Sequence, residues 1–334
     1  MTEPAVDLSH EVTAPPLHPI GSDRAWVGAD IQTSDWLISL TGDHLAEVAA
    51  VAGALRAHPL PTFVRAVEDF ELPALSAALT DTRRVLDDGC GFVVLDRLPM
   101  DRHDGDDMVA CFWLIGQMLA RPVAQKWDGT LIYDVTDTGR KFGYGVRGSA
   151  TSVELVFHTD NAFGNVVPDY VGLLCKYPAA EGGVSRFCSL YTLHNRVLEC
   201  DPDLLARLYQ PVLFDRQAEH AAGAPKVARA PFFSRNGERL AARANVSLVR
   251  KGYKVVGQSP DPRLEAALKL VEEISLEPEL WFEASIERGQ MQYLNNHEIG
   301  HYRSEFRDHA DPAKKRHLYR TWHRQAGSRT YDGI

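Results

Sequence analysis

The spacing of apolar residues predicts three helices in the first third of the chain. Apolar positions recur three or four residues apart in residues 43–56, 74–88 and 107–120, which is the period of an amphipathic helix. Gly89 follows the second segment as a candidate C-cap, and the apolar run 91–95 predicts a buried strand before the third. This part of the chain is therefore predicted to be mainly helical.

Beyond about residue 131, the pattern changes to short runs of β-branched and aromatic residues separated by Gly, Pro, Asn and Asp. Many short strands with turn residues between them are typical of a β-sandwich or a barrel. Two helices, 191–209 and 261–274, are predicted to interrupt the strands. The candidate strands are 131–133, 153–160, 170–175, 186–190, 212–214, 231–233, 253–256, 280–286, 291–294 and 318–323.

Composition limits the classes of partner and location. The 334 residues are 45% hydrophobic and 24% charged, and the formal net charge of −9 argues against binding to nucleic acid or to an anionic membrane. No run approaches the roughly 20 apolar residues of a membrane span, and no secretory signal is recognisable. Five scattered cysteines without a Cys-x-x-Cys motif indicate free thiols, so a cytoplasmic location is expected.

Three segments fall outside the predicted helices and strands. Residues 1–24 are rich in Pro, Ser, Asp and Thr without an apolar period, so a loose N-terminal arm is expected. The glycine-rich residues 136–151 and residues 217–229 are long connections, each either a lid over a site or a mobile surface loop. The aromatic residues that either line a pocket near the first of these loops or belong to the core are Phe142, Tyr144, Phe157 and Phe163.

The candidate chemistry begins where one predicted strand ends in His158-Thr159-Asp160. Side chains two positions apart in a strand point to the same face, so His158 and Asp160 can converge on one point. One imidazole and one carboxylate supply two of the three ligands of a facial iron site, and a second histidine would complete it. A His-x-Asp pair can equally well satisfy backbone groups of a turn, so the iron hypothesis depends on that second histidine.

Three downstream histidines are candidates for the missing ligand. His297 and His301 lie in residues 289–303, which are predicted to form a turn, a short strand and a polar loop. His309 lies in a charged run and is predicted to face solvent. The spacing alone does not choose between His297 and His301.

Two arginines, Arg316 and Arg320, accompany the last predicted strand. In an extended chain they share one face and lie about 13 Å apart at ~3.3 Å per residue. Because arginine binds planar carboxylates bidentately and keeps its charge, the pair suits a dicarboxylate cosubstrate. The alternative is an exposed basic edge of the kind that protects sheets from aggregation.

Taken in order along the chain, these motifs resemble the taurine dioxygenase and clavaminate synthase-like superfamily of iron and 2-oxoglutarate-dependent oxygenases. The resemblance covers about residues 89–324, and its specificity comes from the order of the motifs rather than from any one of them. Asn295 stands where relatives often have aspartate, at a position that is not a ligand. The motifs are His158-Thr159-Asp160, Gly182-Gly183-Val184-Ser185, the Asn295-Asn296 segment that ends in His301-Tyr302-Arg303, and Arg316 with Arg320.

The resemblance implies the iron ligands. His158 and Asp160 are similar to the first two ligands of the family, and His301 is similar to its distal histidine. His301 is preferred over His297 because the family ligand lies two positions before an arginine, here Arg303. Asp160 fills the position that halogenating relatives leave empty for a halide, so halogenation is not expected.

The resemblance also implies the cosubstrate site. Ser185 corresponds to a position where the family often has a threonine that contacts 2-oxoglutarate. Arg316 is similar to the arginine that binds the distal carboxylate of 2-oxoglutarate. Arg320 is similar to a second arginine at the substrate or cosubstrate end of the site. It suggests a substrate with an anionic group, and a second contact to 2-oxoglutarate or a structural salt bridge is the alternative.

The fold and reaction follow from the same resemblance. We expect a mainly β α+β fold, namely a double-stranded β-helix (jelly roll) with flanking N-terminal and inserted helices. A single oxygenase domain would span residues 25–334, with a helical part at about 25–120 and the jelly-roll core at about 89–324. The implied non-haem dioxygenase would use Fe(II), 2-oxoglutarate and O2 to hydroxylate an aliphatic C–H of a small carboxylate or amino-acid-like substrate, releasing succinate and CO2.

Other functions fit the same residues. The same cofactors support desaturation, cyclisation or epimerisation in a biosynthetic pathway. A non-catalytic β-barrel protein would hold a ligand with these histidines and arginines, and a zinc hydrolase would use the same three ligands, although no general-base carboxylate stands out. The expected partner is a small molecule, with no nucleic acid and no membrane, and both a monomer and a homo-oligomer fit the sequence.

Overall fold

A computed structural model of the chain describes residues 4–21, 23–141, 143 and 145–333. Phe142 and Tyr144, two of the aromatic candidates, lie outside the described residues. None of the described helices is both long and apolar enough to cross a membrane. The α-helices are α1 Thr33–Trp36, α2 Gly42–Ala57, α3 Pro73–Asp88, α4 Gly105–Leu119, α5 Leu190–Cys200, α6 Pro202–Leu208, α7 Val246–Val255 and α8 Pro262–Ser275. The β-strands are β1 Ala5–Asp7, β2 Leu37–Ser39, β3 Phe92–Asp96, β4 Arg121–Val123, β5 Tyr133–Val135, β6 Leu155–His158, β7 Tyr170–Tyr177, β8 Glu181–Gly182, β9 Ser185–Ser189, β10 Pro211–Asp215, β11 Val227–Pro231, β12 Phe233–Asn236, β13 Arg239–Ala242, β14 Trp281–Glu283, β15 Met291–Asn295, β16 Ile299–Arg303, β17 Phe306–Arg307 and β18 His317–Arg324.

Helices α2, α3 and α4 form the predicted helical part and pack against one another. Their apolar faces are buried, as Val48, Leu79 and Met108 illustrate. Pro73 occupies the first turn of α3, where its missing N–H has no helical partner to lose, and Gly89 ends the helix as predicted. Helix α4 then packs against strands β4, β7 and β18, so the helical part covers one face of a sheet.

Two sheets carry the strands that matter for function. The larger sheet has the order β2-β3-β15-β7-β18-β4, with β5 also paired to β18, and the smaller sheet has the order β14-β9-β16-β6. The rings of Phe92 in β3 and Phe187 in β9 stack with their centroids 4.4 Å apart, so the two sheets face each other there. The mixture of helices and sheets predicted from the sequence is therefore confirmed.

Two predicted elements are wrong. Residues 253–256, predicted as a strand, lie mostly in helix α7, whose N-terminus is capped by the Asn245 side chain. Gly252 lets this helix approach β10, since a Cβ there would lie 2.4 Å from the carbonyl oxygen of Leu213. Residues 299–303, predicted as part of a polar loop, form strand β16, which pairs with β9 on one side and β6 on the other. Pairing on both sides makes β16 a central strand despite its polar residues.

The N-terminal segment also differs from the expected loose arm. Strand β1 pairs in parallel with β11, and a short 3-10 helix, Ser9–Glu11, follows it. The carboxylate of Glu11 lies 2.6 Å from the buried guanidinium of Arg243. Backbone pairing and this ion pair hold the segment in place, and neither partner is near it in the sequence.

Candidate active site

The His-Thr-Asp motif lies at the edge of the smaller sheet. Strand β6 ends at His158, and Asp160 lies in the turn that follows. His301 in β16 is directly opposite His158 in the antiparallel register, and the two imidazole rings have centroids 4.2 Å apart. Strand pairing therefore brings together two histidines that are far apart in the sequence.

These three side chains form a cluster with the geometry of a candidate metal site. One nitrogen or oxygen from each of His158, Asp160 and His301 lies within 4.8 Å of the others. The Oδ1 atom of Asp160 is 3.8 Å from the Nε2 atom of each histidine. The Nδ1–H of His158 donates to the carbonyl oxygen of Val156 at 2.7 Å, which leaves the Nε2 lone pair directed at the cluster.

The second oxygen of Asp160 is fully engaged by the protein. Its Oδ2 atom accepts a hydrogen bond from the indole Nε1 of Trp322 at 2.8 Å and lies 2.9 Å from Nη1 of Arg320. The amide of Asn296 also bonds both the N–H and the C=O of Asp160, at 2.8 and 3.0 Å. These contacts fix the carboxylate so that Oδ1 alone faces the histidines.

The cluster carries the protonation states that a divalent cation needs. Burial pushes the pKa of Asp160 upward, but Arg320 and the two histidines outweigh it and lower the pKa to about 2. Burial lowers the pKa of His158, and burial together with His158 lowers the pKa of His301 to about 3. The carboxylate is therefore ionised and both imidazoles are neutral near pH 7, the forms that bind metal.

The structure separates the three candidates for the second histidine. His301 belongs to the cluster, whereas His297 points away and has its Nε2 atom 3.0 Å from Oδ1 of Asp169. His309 is half-buried and does not line the cavity described below. Because the distinction depends on strand register, the spacing along the chain did not reveal it.

A cavity of about 550 Å³ between the two sheets contains the cluster. Its walls include Ser185, Arg316 and Arg320, so the structure brings together all of the residues that the resemblance implied. Phe163 also lines the cavity, whereas Phe157 is buried and does not line it. The cavity is thus built from strands of both sheets and from the turn that follows β6.

Arg316 is a buried cation with an unpaired donor. Its side chain is almost fully buried, and its Nη1 atom has no hydrogen-bond partner among the described residues. Burial lowers the pKa of its guanidinium to about 10. Gly183, in the left-handed region at φ 67°, lies against this side chain, and a Cβ there would be 3.1 Å from the Nε atom of Arg316. Gly183 therefore leaves room for the arginine, whereas Gly182 leaves room for the backbone of Glu305.

Arg303 and Asn161 are among the cavity residues to which the sequence assigned no role. Arg303 is buried, lies opposite Ser185 in the register, and shares the ring of Phe306 with Arg316 at 4.8 and 4.9 Å. Its position two residues after His301 could have predicted that Arg303 faces the cavity, because side chains two positions apart in a strand share a face. Asn161 follows Asp160 and has a left-handed backbone with φ 56°.

The two long loops, for which the sequence left open a lid or a mobile surface loop, meet at the cavity. Arg147 in the first loop and Gln217 in the second both line it. The guanidinium of Arg147 lies 2.8 Å from the carboxylate of Glu219, and both side chains are about 90% buried. This ion pair joins the two loops at the rim of the cavity.

Comparison with known proteins agrees with the geometry. A taurine hydroxylase-like protein of Stachybotrys chartarum is 27% identical over 314 residues, which cover 90% of this chain and 78% of that protein. A crystal structure of asparagine oxygenase with Fe(II), 2S,3S-3-hydroxyasparagine and succinate has a TM-score of 0.68 at 20% identity, covering 87% of this chain and 94% of that one. The non-heme iron oxygenase OrfP with Fe and alpha-ketoglutaric acid has a TM-score of 0.65 at 16% identity, covering 86% of this chain and 94% of that one.

The solved structures establish a shared fold, since their sequence identities are low. The family assignment comes from residues 56–322, which match the family described as "Taurine catabolism dioxygenase TauD, TfdA family". This match extends over most of the chain and confirms the resemblance found in the motifs. The protein therefore belongs to the taurine catabolism dioxygenase TauD, TfdA family.

Proposed function

We propose that this protein is an Fe(II)- and 2-oxoglutarate-dependent oxygenase that hydroxylates an aliphatic C–H bond of an amino acid or a related small carboxylate. The observation that carries the proposal is the His158, Asp160 and His301 cluster in a cavity that is also lined by Arg316, a buried cation that forms no ion pair among the described residues. Fe(II) with 2-oxoglutarate and O2 supplies the oxidising chemistry, in which succinate and CO2 are released and one oxygen atom enters the substrate.

The donor set fits Fe(II). Two neutral imidazoles and one carboxylate on one side of an ion are the facial arrangement of non-haem iron oxygenases, which leaves positions for cosubstrate and O2. In this chain Arg320 and Trp322 hold the far oxygen of Asp160, so the carboxylate offers a single ligand atom. Because Asp160 fills the carboxylate position, we propose oxygen transfer rather than halogen transfer.

The cosubstrate end fits a dicarboxylate. A buried guanidinium without an ion pair is costly, none of the described residues forms an ion pair with Arg316, and a carboxylate placed against it in the cavity would supply one. Ser185 lines the same cavity and offers a hydroxyl. We therefore assign the distal carboxylate of 2-oxoglutarate to Arg316, with Ser185 as a second contact.

For Arg320 we propose a role between the metal and the substrate. Its Nε donates to Oε1 of Gln125 at 2.8 Å while Nη1 faces Asp160, so the guanidinium holds the carboxylate ligand in place. Its positive charge also faces the cavity, together with that of Arg147. Arg320 is paired with Asp160 and Arg147 with Glu219, so the proposal of an anionic group on the substrate rests on the remaining N–H donors of these guanidiniums rather than on uncompensated charge. Binding of hydroxyasparagine and of (3S)-hydroxy-L-Arg by two solved relatives supports an amino acid as that substrate.

We also propose the finer description of the fold. The two facing sheets around the cavity support a double-stranded β-helix, or jelly roll, over about residues 89–324. The helical part packs on the outside of the larger sheet rather than forming a separate core. A single oxygenase domain over residues 25–334 accounts for this packing.

A titration of the metal-free protein with Fe(II) and 2-oxoglutarate under anaerobic conditions tests the proposal. A weak visible metal-to-ligand absorption band should appear in the wild-type protein and in His297→Ala, because His297 bonds Asp169 away from the cluster. His301→Ala should lose the band and the formation of succinate in air. Equal behaviour of the two variants, or turnover that depends on zinc, would contradict the proposal.

A further inference from the structure

The N-terminal segment is connected to the turn that carries Asp160 through a single buried arginine. Glu11 in this segment accepts two hydrogen bonds from Arg243, one from Nε to Oε2 at 2.7 Å and one from Nη2 to Oε1 at 2.6 Å. The Arg243 side chain is 6% exposed and that of Glu11 is 25% exposed. A bidentate pair of this kind fixes the orientation of the guanidinium as well as compensating its charge.

The other terminal nitrogen of Arg243 faces the turn. Its Nη1 donates to the carbonyl oxygens of Ala162 and Gly164, at 2.9 and 2.7 Å. The next residue adds a third contact, because the carbonyl oxygen of Ala244 accepts a hydrogen bond from the N–H of Thr159 at 2.8 Å. Residues 243 and 244 therefore hold the backbone both before and after the carboxylate of the cluster.

The turn is tight, so a shift in one part of it would displace Asp160. The N–H of Gly164 donates to the carbonyl oxygen of Asn161 at 2.8 Å, and Asn161 has a left-handed backbone with φ 56°. A Cβ at Gly164 would lie 2.2 Å from Nδ2 of Asn161, so the two residues are in close contact. The amide of Asn296 holds the main chain of Asp160 itself, whereas the Arg243 contacts fix the residues that follow it.

We infer that Glu11 and Arg243 are positioning residues for Asp160, so that the N-terminal segment supports the iron site. Without the carboxylate of Glu11, the guanidinium is a buried charge without an ion pair, and it gains by turning toward water and away from the carbonyls of the turn. Asp160 is then held less firmly, and a ligand that is not held in place binds a metal ion more weakly. Neither Glu11 nor Arg243 lines the cavity, so they act through the turn and not on the substrate. This inference rests on the proposed function, because it takes the cluster to be the Fe(II) site.

Two variants change this contact at different points. Glu11→Gln keeps the size of the side chain and removes its charge. Arg243→Lys keeps the charge, but a single ammonium cannot span two carbonyl oxygens and two carboxylate oxygens as a guanidinium does.

Asp261→Asn is the matched control. Asp261 also accepts two hydrogen bonds from one arginine, Arg207, at 2.8 and 3.0 Å, and neither residue lines the cavity. Asparagine retains the N-terminal cap that Asp261 provides for α8, so the control removes only the charge of the pair.

The first readout is the affinity for Fe(II), from the anaerobic absorption band at saturating 2-oxoglutarate and well below the Tm of each variant. The Kd for Fe(II) should rise about tenfold in Glu11→Gln and in Arg243→Lys, at the low end of the effect of groups that orient a metal ligand, and should not change in Asp261→Asn. The second readout is hydrogen exchange of the amides of residues 159–164 in the metal-free protein. Exchange should become several-fold faster in the first two variants and stay unchanged in the control.

Unchanged Fe(II) affinity in Glu11→Gln and Arg243→Lys would overturn the inference, even if the turn exchanged faster. An equal loss of affinity in Asp261→Asn would also overturn it, because the loss would then follow from lower stability of the whole protein. A wild-type protein without the absorption band would instead refute the proposed function. Exchange in the metal-free protein does not depend on iron, and unchanged exchange of the turn in both variants would overturn the inference in either case.

Discussion

Replacing Arg316 by methionine should stabilise the protein without 2-oxoglutarate and weaken its use of 2-oxoglutarate. Burial lowers the pKa of Arg316 from 12.5 to about 10. At about 1.4 kcal/mol per pKa unit, the folded protein holds this charge at a cost of about 3 kcal/mol. Methionine keeps an unbranched side chain without the charge. We therefore expect the free energy of unfolding to rise by about 1 to 3 kcal/mol, since some packing is lost.

Arg316→Met should weaken the binding of 2-oxoglutarate even though it stabilises the protein without this cosubstrate. A hydrogen bond to a charged group contributes about 1.5 to 3 kcal/mol, so the KM for 2-oxoglutarate should rise roughly 10- to 150-fold. A ligand at 100 times its Kd adds about 2.7 kcal/mol to the stability of the wild type, and the variant should lose most of this gain. Urea denaturation with and without 2-oxoglutarate, and initial rates of succinate formation, measure both effects.

Arg324, the last residue of β18, provides the matched control. It is also buried, but its guanidinium donates to the carbonyl oxygens of Val166, Thr330 and Tyr331. Arg324→Met leaves these carbonyls unpaired, so it should lower the free energy of unfolding and leave the KM for 2-oxoglutarate unchanged. If Arg316→Met destabilised the protein as Arg324→Met does and left the KM unchanged, the assignment of Arg316 to the cosubstrate would be refuted.

Three further predictions concern other parts of the molecule. Trp322→Phe removes the indole donor to the carboxylate ligand, and titration should show Fe(II) affinity reduced about tenfold or more; unchanged affinity would contradict this role. Gly183→Ala, at φ 67° and against Arg316, should lower stability and raise the KM for 2-oxoglutarate, whereas Gly223→Ala, at φ 80° in open space, should lower stability alone. Burial lowers the pKa of His194 to about 4, so only the unfolded chain binds this proton between about pH 6.5 and 4, and stability falls as the pH falls through this window. In urea titrations at several pH values, His194→Gln should reduce the slope of the free energy of unfolding against pH by about 1.4 kcal/mol per pH unit. An unchanged slope would refute the lowered pKa of His194.

Local patterns were sufficient to predict much of the fold. The periods of apolar residues identified α2, α3 and α4, and β-branched runs identified strands such as β7 and β18. The prediction failed at α7, because Tyr253 and the valines after it are typical strand residues. This helix begins at its cap, Asn245, and its residue Gly252 packs closely on β10, neither of which a short apolar run reveals.

The site was predictable only in part, for a related reason. His158 and Asp160 are two residues apart, so their convergence follows from local geometry. Their meeting with His301 depends on the register between β6 and β16, which the sequence indicated only through a family resemblance.

The most direct test of oxygenase chemistry at the His158, Asp160 and His301 cluster is the origin of the oxygen in succinate. The protein would be incubated with Fe(II) and 2-oxoglutarate under isotopically labelled O2, and succinate would be analysed by mass spectrometry. We predict one labelled oxygen atom in each succinate, dependent on Fe(II), lost in His301→Ala and retained in His297→Ala. Unlabelled succinate, or equal loss in both variants, would contradict this assignment.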